Sequence, residues 1–140
     1  MIQTKIIDAK VLIQDDPVRP LITAQRRCTD HFEMYHTGGI EEGTRESAIC
    51  IAFCNTVPKT EKELLDSKPG DIAVFYTVWS YANKPGAGRD IVFKALDLAK
   101  ERGMRKYVTM SPKTEMARRF HLRNGARLVS ENEETNTFEY

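Results

Sequence analysis

Apolar and polar positions along the chain predict strands first, then strands alternating with helices. Residues 1–13 carry Ile2, Ile6, Ile7, Val11, Leu12 and Ile13 and read as one or two strand pieces. Asp15, Asp16 and Pro17 suit the start of a short helix across 18–27, because a carboxylate caps free amides and proline fits a first turn. Residues 31–36 read as a strand, closed by a turn at Gly38, Gly39 and Gly43. The apolar run 47–56 is a buried strand, and 60–67 a short surface helix with Leu64 and Leu65 inward. Pro69 and Gly70 then turn the chain into 71–82, its most apolar stretch. There Ile72, Val74, Tyr76 and Val78 alternate with Ala73, Phe75, Thr77 and Trp79, so both faces are covered and the strand is central.

Beyond Gly86 and Gly88, residues 89–102 form an amphipathic helix with Ile91, Val92, Ala95, Leu96, Leu98 and Ala99 in one stripe. Gly103 ends it. A strand over 105–110 follows, then a helix capped by Ser111 or Thr114 that runs to Asn124 with Met116, Ala117 and Phe120 inward. Residues 126–130 and 135–140 complete the pattern as two strands joined by an acidic turn. The order predicts an α/β (α+β) sandwich around one mixed sheet.

Composition narrows the class. The chain has 140 residues, enough for one domain, 1–140, with its own core and no need of disulfide or metal staples. Its 21 basic and 20 acidic residues leave a net charge of +1, which as a whole argues against a nucleic-acid coat and a polybasic membrane binder. No apolar run approaches the roughly 20 residues of a membrane span. The N-terminus lacks the basic head and long apolar stretch of a secretory signal. Three cysteines, Cys28, Cys50 and Cys54, form an odd, sparse set that fits a reducing compartment, and a cytoplasmic protein is expected. Cys50 and Cys54 lie about 13 Å apart on a strand, too far to share one metal. Cys28 with His31 and His36 is a thin ligand pattern, so no metal site is expected.

The chemistry concentrates where strand 71–82 passes through Asn83-Lys84-Pro85-Gly86-Ala87-Gly88 into the helix. A glycine-rich turn exposes the first amides of a helix, and these, with the positive end of its dipole, attract phosphate. Lys84 and Arg89 add charge beside the loop. The alternative is a tight strand-to-helix turn and nothing more. A P-loop would require Gly-x-x-x-x-Gly-Lys-Ser/Thr, and a dinucleotide fingerprint would require glycine where Ile91 stands.

Two motifs in these elements resemble the GCN5-related N-acetyltransferase (GNAT) superfamily. That family carries Arg/Gln-x-x-Gly-x-Gly/Ala between a central strand and a helix; here it is Asn83-x-x-Gly86-x-Gly88. Its second signature, Asn-x-x-Ala-x-x-Phe-Tyr-x-x-x-Gly-Phe, is matched at Ala117, Phe120 and Gly125, with Thr114 and His121 in place of the Asn and the Tyr. The resemblance covers about 60 residues, from Asp71 to Val129. It implies a mixed, mostly antiparallel sheet flanked by helices, with a splayed central strand pair. It also implies an acyl-CoA-dependent N-acetyltransferase in which an amine, of a small molecule or a protein, attacks the thioester of acetyl-CoA directly. Lys84, Gly86, Ala87, Gly88 and Arg89 would then meet the pyrophosphate. Main-chain groups of Val78 and Trp79 would run beside the pantetheine, and Thr114 and Phe120 would contribute from the second signature. A general acid is sought among His121, Tyr81 and Tyr76, each with a packing role as the alternative. Trp79 is likewise suited to a core position.

Two further readings stay open. The same fold could hold CoA or another phosphorylated ligand without turnover, since His121 and Thr114 depart from the signature. Arg118, Arg119 and Arg123 on one helix raise a polyanion role, against the alternatives of a solvated face or CoA phosphate contacts. Neither a membrane nor a nucleic acid is the expected partner, while a homodimer is compatible with the sequence. Charge is unevenly spread: residues 84–127 hold 12 basic and 4 acidic residues, a block of +8 beginning at the proposed phosphate loop. Such a block would help recruit an anionic cosubstrate.

Overall fold

A computed structural model describes residues 1–140. After a short strand β1 (Ile2–Gln3), the chain departs from the strands expected up to residue 13 and forms helix α1 (Ile6–Leu12), continued by a 3-10 turn over Ile13–Asp15. The reason is spacing. Ile6, Ala9, Leu12 and Ile13 recur at three- and four-residue intervals, and all four meet the same core, while Ile7 stays 72% exposed. The helix expected over 18–27 shrinks to α2 (Ala24–Arg27), capped by the Thr23 hydroxyl, which accepts from the Arg26 amide. Asp16 does cap amides, but those of Val18 and Arg19 in a loop, at 2.8 and 2.9 Å.

The remaining elements fall where the pattern predicts them. They are β2 (Phe32–Gly38), β3 (Arg45–Cys54), α3 (Glu61–Leu65), β4 (Ile72–Ser80), α4 (Ala87–Glu101), β5 (Lys106–Thr109), α5 (Glu115–Arg123), β7 (Arg127–Glu131) and β8 (Thr135–Glu139), with one addition, the short β6 (Ser111–Pro112). The sheet order is β1-β2-β3-β4-β5-β8-β6, with β7 also on β8. Every pair is antiparallel except β4–β5, which the α4 crossover makes parallel.

Each face of the sheet carries its own core. Met34, Ala48, Cys50, Ala52, Cys54 and Val74 pack under α1 to α3. Ile49, Ile51, Phe53, Ala73 and Phe75 pack under α4, whose Ile91, Val92, Ala95, Leu96 and Ala99 form the expected stripe. A β-bulge interrupts the alternation in β4: Cys50 pairs with Thr77 and Ile51 with Phe75, leaving Tyr76 unmatched. Tyr76 and Thr77 therefore both turn toward the α1–α3 layer, and Val78 and Trp79 exchange the faces that strict alternation would assign them. Met116 also departs from expectation. It is 82% exposed, because the inner face of α5 runs through Ala117, Phe120, His121 and Asn124. No helix is long and apolar enough to cross a membrane.

Candidate active site

The parallel pair comes apart halfway along. β4 and β5 are in register from Ile72–Lys106 to Phe75–Thr109, and the Met110 amide donates to the Phe75 carbonyl at 3.2 Å. Past that link β4 has no strand on its β5 side, because the chain turns off through β6 onto β8. A cleft of about 620 Å³ opens there. Val78, Trp79 and Ser80 border it from β4, Gly88 from α4, and Thr114 and Phe120 from the α5 side.

The loop into α4 supplies donors. Gly86 takes φ +83°, a left-handed conformation that glycine tolerates, and stands at the N-cap with no side-chain partner. The Ala87 amide donates to the Lys84 carbonyl at 3.2 Å and that of Asp90 to the Gly86 carbonyl at 3.0 Å, while the amides of Gly86, Gly88 and Arg89 have no partner in the protein. Pro85 contributes none. Gly88 lies close under the wall: a Cβ there would sit 3.5 Å from Ser80 and 3.7 Å from Phe120. The flanking side chains contribute less than their charges promise. Lys84 faces Glu46 at 3.5 Å, and the Arg89 guanidinium lies 5.2 Å from the Phe93 ring centroid.

The basic block is likewise partly neutralised. Arg102, Arg105, Arg119 and Arg127 pair with Glu33, Asp71, Glu115 and Glu139. Arg118 and Arg123 make no ion pair. Cys50 and Cys54 are buried in the core, His36 bonds Thr4 at 2.8 Å, and His31 bonds Ser67 at 2.9 Å. No three His, Cys, Asp or Glu side chains gather in a metal-binding group.

The three side chains considered for acid chemistry are not brought together. His121 stands in the cleft wall, 5% exposed, with its Nδ1 2.7 Å from the Tyr140 hydroxyl. Burial pulls its pKa down to about 4, so it carries no charge near neutral pH and supplies no imidazolium. Tyr76 borders the cleft, but its phenol is fully buried beside Phe32, with ring centroids 6.0 Å apart, and its hydroxyl has no partner. Burial raises its pKa well above the ordinary value. Tyr81 lies outside the cleft lining; its hydroxyl donates to Asp15 at 2.7 Å and accepts from the Trp79 indole at 2.9 Å. Burial, with Asp15 adding to it, pushes its pKa up to about 12.

Thr114 acts first on the helix. Its hydroxyl accepts from the Ala117 amide at 3.2 Å as the N-cap of α5. Thr114→Ala will cost about 1 kcal/mol of stability. Denaturant midpoints will read this, and an unchanged midpoint would show that the cap contributes nothing.

One group in the cleft went unnoticed in the sequence. Asp16 and Arg27 form a fully buried ion pair at 2.6 Å. Asp16 Oδ1 also accepts from Thr77 Oγ1 at 3.2 Å, tying the loop after α1 to the β4 bulge. Held by that loop, Arg19 enters the fork of the sheet. Its Nη1 donates to the Tyr76 carbonyl at 2.5 Å and its Nη2 to the Met110 carbonyl at 2.8 Å, bridging the parted strands.

With its forked parallel strand pair and a helix N-terminus at the mouth, this chain has the fold of solved GNAT-family acetyltransferases. It is similar to an acetyltransferase of the GNAT family from Staphylococcus aureus, with a TM-score of 0.67 at 8% identity over 99% of this chain and 95% of that one. It is similar also to an aminoglycoside N-acetyltransferase solved in complex with CoA, with a TM-score of 0.59 at 12% identity over 94% and 97%. A third likeness is to malonyl-CoA decarboxylase from Agrobacterium vitis, with a TM-score of 0.64 at 19% identity; it covers 84% of this chain, which spans only 33% of that enzyme's length. No family model and no curated protein matches the sequence.

Proposed function

We propose that residues 1–140 form a single acyl-CoA-dependent N-acetyltransferase domain acting on an amine of a small molecule or a protein. The observation that carries this reading is the juxtaposition of unbonded α4 amides with the open edge of β4 in one cleft. The amides of Gly86, Gly88 and Arg89 would hold the pyrophosphate, with Lys84 and Ala87 at the same turn. Beyond them Val78 and Trp79 present main-chain groups to an extended ligand, as an edge strand does. Phe120 and the Thr114-capped helix close the far wall. Support also comes from the neighbours, one solved with CoA and another a decarboxylase of a CoA thioester.

Acetyl-CoA supplies an activated acyl group: the amine nitrogen bonds the carbonyl carbon, the C–S bond breaks, and the thiol leaves with the proton the amine gives up. The chain's own contribution is to position the reactants and present amides at the strand edge that polarise the carbonyl. His121 supplies no imidazolium, the Tyr76 hydroxyl is buried out of reach and Tyr81 lies outside the cleft lining. That observation favours a second reading, a CoA-binding module of the same fold without turnover.

Calorimetry will show CoA and acetyl-CoA binding with a Kd on the order of micromolar. Gly88→Leu will weaken it by about tenfold or more, because the side chain enters the space before Ser80 and Phe120. Failure of both ligands to bind wild-type protein would overturn the CoA reading. Thiol release with an amine panel would then decide for the transferase over the module.

A further inference from the structure

Arg19 is an unusual occupant for the inner end of this cleft. It is 6% exposed and lines the opening between the parted strands. A guanidinium carries five N–H groups in a planar fork. Two go to the Tyr76 and Met110 carbonyls, which fixes the plane of the fork across both strands. The second hydrogen on each terminal nitrogen has no protein acceptor, and Nε lies 3.9 Å from Glu61, beyond hydrogen-bond reach.

The charge is equally underserved. Two arginines, Arg19 and Arg27, are buried beside a single buried carboxylate, Asp16. Asp16 is already committed: Oδ2 to Arg27, Oδ1 to Thr77 and to the amides of Val18 and Arg19. The remaining carboxylate, Glu61, is about half exposed and reaches Nε only as a loose ion pair at 3.9 Å. A buried cation of this kind, its orientation fixed and an N–H left free on each terminal nitrogen as well as on Nε, matches a planar anion that can take two parallel hydrogen bonds.

We infer that Arg19 is a specificity-determining residue that recognises a carboxylate of the substrate at the fork of β4 and β5. This rests on the CoA-thioester reading of the cleft, which sets the reacting carbon near that fork. The carboxylate has two sources with the same chemistry. It belongs either to the acyl chain, as in a malonyl or succinyl thioester, or to the acceptor, as in an amino acid with a free carboxyl group.

Two arms of one experiment separate them. In the first, calorimetry compares CoA, acetyl-CoA, malonyl-CoA and succinyl-CoA on wild-type protein. In the second, thiol release from acetyl-CoA is followed with amino acids against the corresponding amino-acid amides. A preference of about tenfold or more for the carboxylate-bearing member is expected in one arm. Arg19→Gln will remove that preference, and Arg19→Lys will recover only part of it. The wild-type rankings stand even if a variant fails to fold. CoA binding with no carboxylate preference in either arm, or a preference that survives in Arg19→Gln, would overturn this inference alone. Absence of binding by CoA and all three thioesters would remove the CoA reading and this inference together.

Discussion

Replacing Arg27 with methionine will destabilise the protein by about 3–5 kcal/mol, the largest single loss expected outside the apolar core. Arg27 has no exposed surface, and neither does the side chain of its partner Asp16. Its Nη1 lies 2.6 Å from Asp16, Nε donates to the Ile22 carbonyl at 2.9 Å, and Nη2 donates to the Arg19 carbonyl at 2.5 Å. Methionine fills much of the volume but leaves a buried carboxylate without its cation and the Ile22 carbonyl without a donor, while the Arg19 carbonyl keeps only the Ile22 amide. Thermal unfolding will read this as a fall of about 10–15 °C in Tm. Asp16→Leu added to Arg27→Met will restore part of the loss, because no uncompensated charge then remains. Restoration stays partial, since Asp16 also accepts from two loop amides and Thr77. An Arg27→Met protein within about 1 kcal/mol of wild type would show that the pair is incidental to folding.

That network was also the least legible feature of the sequence, for a physical reason. Its bonds join Arg19 to carbonyls 57 and 91 residues away, and no local period encodes such a link. The part that was legible is local: a carboxylate beside a proline caps free amides, and Asp16 does. The same contrast runs through the fold. β3 and β4 announce themselves through continuous apolar runs, and α4 through a stripe at helical spacing. α1 did not, because isoleucine and valine weigh toward strand while the helical spacing depends on Ala9, a residue of little hydrophobic weight. The bulge at Tyr76 adds one residue without any marker such as glycine, so the faces of Val78 and Trp79 were misassigned.

The glycine turn proposed to hold phosphate is legible because its donors are backbone amides, and glycines mark where backbone is laid open. Side-chain chemistry was not readable in the same way. His121 occupies the position that the second signature indicates, but its charge depends on burial by Phe120, Phe138 and Tyr140, drawn from two elements. Tyr76 lies on the central strand and Tyr81 just after it, yet one phenol is buried in the core and the other is tied to Asp15.

Acid will destabilise the fold through His121. Burial holds its folded-state pKa near about 4, against an ordinary value of 6.5. Between these values the unfolded chain binds a proton that the folded chain refuses, so stability is greatest above the unfolded pKa and falls as pH drops through the window. The contribution lost between about pH 7 and about pH 4.5 is about 2 kcal/mol. His31 and His36, whose pKa values burial also lowers, add to the trend with the same sign. His121 is separated from them by removing its polar contact as a whole. His121→Phe with Tyr140→Phe deletes both members of the 2.7 Å hydrogen bond and leaves an aromatic pair against Phe120 and Phe138. Urea unfolding at the two pH values will show a shallower fall in the double variant by about 2 kcal/mol. Equal slopes in variant and wild type, or a His121 resonance titrating near 6.5 by NMR, would rule out the buried neutral imidazole. Such a result would also return an imidazolium to the cleft wall and reopen His121 as the acid for a departing thiolate.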